Sequence, residues 1–152
     1  MTLSENDLST DDLAALVGYR FPGGTYQVAH WENWLLTDCT GAAPLPDALV
    51  HPVALFHMTI LGSRMSIAEL FALFRATGHA GVSLLGYDWE YLQPLREEAH
   101  YTCTGRILQA ERSGVSANRF ADTVIFLIEV FDAEDQPVAR VTNTWRFNRT
   151  TA

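Results

Sequence analysis

The stretch PLPDALVHPVALFHMTIL, residues 44–61, sets Asp47, His51 and His57 in an otherwise apolar run. An acid and a histidine four positions apart share one face of a helix, and such a pair can carry protons to and from a reacting group as general acid and base. Pro52 works against that alignment, because the residue before a proline is pushed toward extended angles. Pro52 itself suits the first turn of a helix, where its missing N–H would have been unsatisfied anyway. The first free N–H after it belongs to Val53. Asp38 closes an earlier helix, where an acid opposes the dipole, and is a second acid able to orient His51. The candidate catalytic set is His51, Asp47 and Asp38, with His57, the Val53 N–H, Phe56, Arg64 and Trp34 as candidate substrate contacts. Each has a plainer reading: His51 as a cap or turn at a helix entrance, Asp47 as a loop acceptor, His57 as a satisfied core histidine, Arg64 as a solvated cation.

Other polar residues offer less. His30, His79 and His100 have no Cys, His or acid at metal-ligand spacing, so no metal site is expected. FPGG lacks the Lys and following helix of a phosphate loop and reads as a turn. Ser63, Ser66 and Ser83 lack a nucleophile-elbow setting. Asn143 is read as facing inward beside Trp145, either as a structural amide or as a ligand contact. Tyr87, Trp89 and Tyr91 alternate along one strand face and read as core or dimer contacts.

The elements that must position these residues follow from caps and periodicity. A helix is predicted near residues 10–17, capped by Ser9, Thr10 or Asp11 and followed by Gly18. GTYQVAH reads as a strand. Trp31, Trp34, Leu35 and Asp38 at helical spacing predict a helix with an apolar face over 31–39, and GAAPLPD a loop. Ser66 and Glu69 form a capping box for the best-marked helix, with Gly78 as a left-handed stop. That helix is apolar on most sides and is therefore expected to be wrapped by other structure. Four strands are predicted at about 82–92, 100–111, 121–132 and 137–147, separated by QPLREE, SGVSANR and DAEDQ. DTVIFLIEVFD reads as a central strand buried on both faces. One strand, then helices, then four antiparallel strands predict an α+β domain.

A chain of 152 residues is one domain with one core. The expected unit is a single domain over 1–152, flexible over 1–9. The net charge of -8, with ten basic residues that are all Arg, argues against a nucleic-acid or anionic-membrane surface. An acidic start without a long apolar core reads as cytoplasmic, and no stretch has the length of a spanning helix. Cys39 and Cys103 are then expected to be reduced, packed thiols.

In order and spacing, LVGYRFPGGTYQV, YLQPLREEAHYTCTGRI and DTVIFLIEVFDAEDQPVARVTNTW resemble the hot-dog fold of the MaoC-like hydratases and dehydratases, over about residues 13–148. The resemblance implies a curved antiparallel sheet around a central hydrophobic helix. It implies acyl thioesters of coenzyme A or acyl carrier protein as substrates, reversible hydration next to the carbonyl, no further cofactor, and pairing of two hot-dog units with acyl tunnels at their interface. The family's hydratases use Asp and His in D-x-N-P-I/L-H and a backbone N–H from the Gly of an A-H-G stretch that begins the central helix. This sequence has no Asn-Pro and no Gly-Asp dipeptide, LLTDCTGAAPLPD occupies the Asp-motif region, and Val50-His51-Pro52 stands where A-H-G is expected. A lost oxyanion donor costs roughly 100-fold to 1000-fold, and lost acid–base catalysis roughly 100-fold to 10,000-fold. The departures are similar to those of non-catalytic hot-dog halves, which shape the acyl tunnel while a partner contributes Asp and His. The expected partners are an acyl thioester and either a paralogous hot-dog subunit or a second copy.

Two further classes stay open. One is a stand-alone enzyme with reassigned chemistry, in which Asp47 or Asp38 orients His51 and Val53 N–H serves as donor, or a thioesterase using Glu69. The other is a non-catalytic acyl-binding homodimer. Trp34, Phe56, Phe71 and Phe74 are the bulky residues expected to line or fill the tunnel.

Overall fold

The computed structural model describes residues 8–76, 81–114 and 119–150. Its elements are α1 (Thr10–Ala15), β1 (Gly24–Gln27), α2 (His30–Cys39), α3 (Ala54–Gly62), α4 (Ile67–Leu73), β2 (Val82–Tyr91), β3 (His100–Ser113), β4 (Arg119–Phe131) and β5 (Pro137–Thr150). All strands join one sheet in the order β1-β3-β4-β5-β2, with every pairing antiparallel. β4 is thus central, as its apolar run predicts. One of its faces is fully buried and the other, through Thr123, Ile125, Leu127 and Glu129, only half so.

Turn chemistry sets these boundaries. In DAEDQ the Asp132 carboxylate accepts from the N–H groups of Glu134 at 3.1 Å and Gln136 at 2.8 Å, closing the β4–β5 hairpin. A bulge between Leu84 and Gly86 shifts the register of β2 on β5, so side-chain alternation resumes one residue out of phase.

The N-terminus is packed from Leu8 onward. Ser9 and Asp12 exchange backbone and side-chain hydrogen bonds in a capping box, and Asp11 and Asp12 lie in the first turn, where the dipole favours acids. Leu8 is in the core and its carbonyl accepts from Arg112. The flexibility expected of residues 1–9 therefore does not extend to Leu8 and Ser9, and residues 1–7 lie outside the described residues.

The helix packed across the sheet is α3, not the helix with the best sequence marks. α3 carries no charged residue. It turns Ala54, Leu55, Met58, Thr59 and Gly62 inward and packs against β1, β3 and β4. Small residues at both ends of that face permit the close approach: a Cβ on Gly62 would lie 2.5 Å from Cys103 Sγ. α4 has the expected capping box, with Ser66 Oγ accepting the Glu69 N–H at 3.2 Å. It buries fully only Leu70 and the following Phe74, with Phe71 and Leu73 half-buried against the core, while Ala68 and Ala72 face solvent. It is short because the chain turns left-handed at Arg75 (φ 50). There Ala76 N–H reaches Phe71 O and Arg75 N–H reaches Ala72 O, the paired bonds of a Schellman stop. The expected stop at Gly78 lies outside the described residues.

One buried ionic cluster ties the sheet's end to these helices. Asp122 accepts from Arg112 Nε at 2.7 Å and Arg149 Nε at 2.8 Å, and Arg149 also donates to the carbonyls of Phe74 and Arg75. Full burial of Asp122 is tolerable because two guanidinium groups meet it.

Candidate functional site

Two hollows flank α3. The first, about 200 Å³, lies between α3, α4 and the sheet, with Phe56, Ile60, Leu70, Tyr87, Asn143 and Trp145 on its walls. The second, about 360 Å³ and more open, lies at the entrance of α3 between Leu49, Pro52, Tyr91 and Leu95. Tyr91 spans that entrance: its hydroxyl donates to Pro52 O at 2.5 Å, and burial pushes its phenol above the usual pKa.

His51 precedes Pro52 at the entrance of α3, and its hydrogen-bonding atoms are largely committed. Its N–H donates to Asn33 Oδ1 at 2.8 Å, and its Nδ1 accepts the Val53 N–H at 3.2 Å. In a neutral ring this leaves the proton on Nε2. The imidazole thus caps the start of α3, whose nominal cap residue, Val53, has no side chain for the purpose. Pro52 has no N–H, and the Val53 N–H that could have replaced it points at His51.

The candidate acids are not brought to this histidine. Asp47 lies in an exposed loop with φ 57, where its backbone carbonyl, not its carboxylate, accepts from Arg96. Asp38 is exposed near the end of α2. Among the described residues no hydrogen bond joins either carboxylate to His51. Glu69 is engaged by Ser66, whose Oγ donates to Glu69 Oε2 at 2.6 Å, and these bonds hold its carboxyl below the usual range.

Of the expected substrate contacts, Phe56 lines the apolar cavity, its ring 5.4 Å from that of Tyr87. Val53 stands at the entrance of α3. His57 is exposed on the outer side of α3, edge-on to Phe56, so it is not the core histidine that its apolar surroundings suggest. Arg64 is exposed at φ 54, its stem against Gly24. Trp34 is 51% exposed and lines neither hollow. The apolar face expected of α2 is in fact its outer face, with Trp31, Trp34 and Leu35 exposed and Asn33 and Thr37 buried. Phe71 and Phe74 pack against Phe147 rather than lining the hollow. Cys103 is packed, and burial pushes its thiol up to about 12, whereas Cys39 is exposed, contrary to the expectation that both are packed.

Asn33 explains the inversion of α2. Its Nδ2 donates to Leu49 O at 3.1 Å and to Glu97 Oε1 at 2.6 Å, while its Oδ1 takes the His51 N–H. One amide thereby fixes α2, the approach to α3 and the segment before β3, and burying it places both Trp residues outside. Glu97 also meets His30 Nδ1 at 2.7 Å. The bond from Asn33, then that from His30, lowers the Glu97 pKa, and Glu97 raises that of His30. Asn33 and Glu97 escape the sequence reading, the only hint being a polar stripe at 33 and 37 in a helix otherwise rich in Trp and Leu.

Among the described residues no group of three or more His, Cys, Asp and Glu is placed to hold a metal ion, and no helix is long and apolar enough to cross a membrane.

No protein-family model matches the sequence, and no curated protein matches it. Solved structures do. A chain of the ChsH1-ChsH2 complex from Mycobacterium tuberculosis is similar with a TM-score of 0.69 at 12% identity, over 93% of this chain and 92% of that one. A chain of the C-terminally truncated HadBC (3R-hydroxyacyl-ACP dehydratase) complex from the same organism gives 0.66 at 8% identity, over 86% and 96%. A monoamine oxidase regulatory protein from Archaeoglobus fulgius gives 0.57 at 12% identity, over 98% and 99%. Identities this low establish the fold. It is the α+β hot-dog fold that the sequence predicts, and the two mycobacterial neighbours are MaoC-like hot-dog proteins.

Proposed function

We propose that this chain is the acyl-binding, catalytically deficient unit of a MaoC-like hydratase or dehydratase that works paired with a second hot-dog subunit. The observation that carries the reading is the coexistence of an apolar cavity beside α3 with an entrance whose chemistry is spent on structure. Pro52 offers no N–H, Val53 N–H is bound by His51 Nδ1, and neither Asp47 nor Asp38 is hydrogen-bonded to His51. A thioester carbonyl at this entrance has no free backbone donor before Ala54, whose N–H already bonds His51 O at 3.0 Å. The acid, base and donor then come from the partner, while Phe56, Tyr87 and Trp145 hold the acyl portion. The carrier in this reading is coenzyme A or acyl carrier protein, with no further cofactor.

Pairing has its own support. β2 is a sheet edge with one unpaired side, and it exposes Leu84, Leu85, Trp89 and Tyr91. A long apolar edge of this kind is an aggregation site unless another strand covers it. Two of the structural neighbours are themselves named as two-component complexes. Co-purification from the native source with mass measurement tests the reading. The expected result is a second hot-dog chain bearing an Asp/His motif. Recovery of this chain only with itself would contradict it.

A further inference from the structure

The cavity beside α3 is lined mostly by apolar side chains. On β5, Asn143 and Trp145 alternate onto the cavity side, and Asn143 pairs across the sheet with Tyr87, another lining residue. Asn143 is 3% exposed, and among the described residues neither its Nδ2 nor Trp145 Nε1 has a hydrogen-bond partner. Two adjacent buried donors without partners are unusual, since nearly all buried polar groups are satisfied. Nor can Trp145 turn its N–H elsewhere without breaking its packing, for its ring is held edge-on by Phe71 at 5.9 Å and Phe126 at 5.8 Å. The other polar groups nearby are occupied: Ser63 Oγ donates to Ile60 O at 3.1 Å, and the Tyr87 hydroxyl meets Thr59 Oγ1 at 3.4 Å.

We infer that this cavity takes a ligand whose apolar portion carries a hydrogen-bond acceptor, a carbonyl, hydroxyl or ether oxygen, placed to meet Asn143 and Trp145. The indole N–H can only donate, so it calls for an acceptor, here assigned to the ligand. A plain hydrocarbon chain would leave both donors unpaired in an apolar pocket. The size agrees: a hydrophobic cavity on the order of 150 Å³ holds benzene, so about 200 Å³ accommodates a group slightly larger than one ring or an equivalent length of chain. Naming that ligand as an oxygenated acyl group, rather than any other oxygenated hydrophobe, rests on the function proposed above.

The test uses a matched pair of small probes, acetophenone and ethylbenzene, titrated by NMR into the purified chain and into its Asn143→Leu and Trp145→Phe variants. Either substitution should weaken acetophenone about tenfold, the worth of one well-made hydrogen bond, and leave ethylbenzene unchanged or tighter. Asn143→Leu should also raise the thermal midpoint, because it removes an unpaired amide. Equal effects on both probes, absence of binding by either, or a lowered midpoint in Asn143→Leu would each overturn the inference; the last would mean that the amide is satisfied by enclosed water. Thioester turnover is read separately. A chain that fails the hydration reading can still show the acetophenone effect, and one that passes it can lack the effect.

Discussion

His51 is the residue at which the sequence is most ambiguous and the structure most definite. The sequence offers a histidine near two acids at a helix entrance; the structure engages its N–H with Asn33 and its Nδ1 with the first turn of α3. Replacing His51 by Ala removes one backbone cap, worth about 1 kcal/mol, which for a domain of this size lowers the midpoint by about 2–4 °C. Turnover of the active assembly should change by no more than a few-fold. A thermal melt and a rate measurement on the same preparation decide the matter: an unchanged midpoint with abolished turnover would return His51 to the chemistry. The His30–Glu97 pair gives a second residue-scale expectation. His30 is raised from 6.5, so its contribution is complete below that value and is lost as pH rises through the raised one; Glu97 is lowered from 4.5, so its contribution is complete above that value and is lost as pH falls through the lowered one. The stability gap between the wild type and His30→Ala should therefore be widest between pH 4.5 and 6.5 and close on both sides. A denaturation series across pH checks it, and a gap independent of pH would refute the pairing. Asn33, which organises this whole region, was not legible in the sequence because its partners lie 16, 18 and 64 residues away.

At the scale of elements, caps and burial give different information. The sequence marks α4 strongly because Ser66 and Glu69 are side-chain caps of the usual kind, yet capping says nothing about what surrounds a helix. α3 starts without such a residue, and its cap comes from a histidine two positions before Val53. What does mark α3 is the absence of charge over ALFHMTILG together with a small residue at each end of the buried face. The Gly62 contact tests that packing. Ala at this position places a Cβ against Cys103 Sγ, and overpacking of this sort costs about 1–3 kcal/mol, partly offset by up to about 1 kcal/mol of helix propensity. Gly62→Ala should thus lower the urea midpoint; a raised midpoint would show that α3 does not depend on this close approach to β3. The outward turn of the apolar face of α2 has the same root as the shallow seating of α4. Apolar spacing locates a stripe, but a buried amide with three partners on the opposite face can turn that stripe outward.

For the whole molecule, the sheet was the most legible part. The four strands of the second half fall within a few residues of their expected limits, since turn signals such as Asp132 and alternation such as Val141-Asn143-Trp145 are local in sequence. Their order, and the placement of α3 across β1, β3 and β4, were not legible in the sequence, because both rest on pairings between residues far apart in the chain. The proposed pairing accounts for an edge strand rich in exposed Leu and Trp and for an entrance to α3 with little catalytic equipment: both are expected of one half of a pair. The most direct measurement of that proposal is hydration of a short 2-enoyl-CoA by the purified chain alone, set beside the same chain reconstituted with whatever second hot-dog chain co-purifies with it. No turnover is expected without that second chain, and hydration is expected with it. Full hydratase turnover by the isolated chain would contradict it.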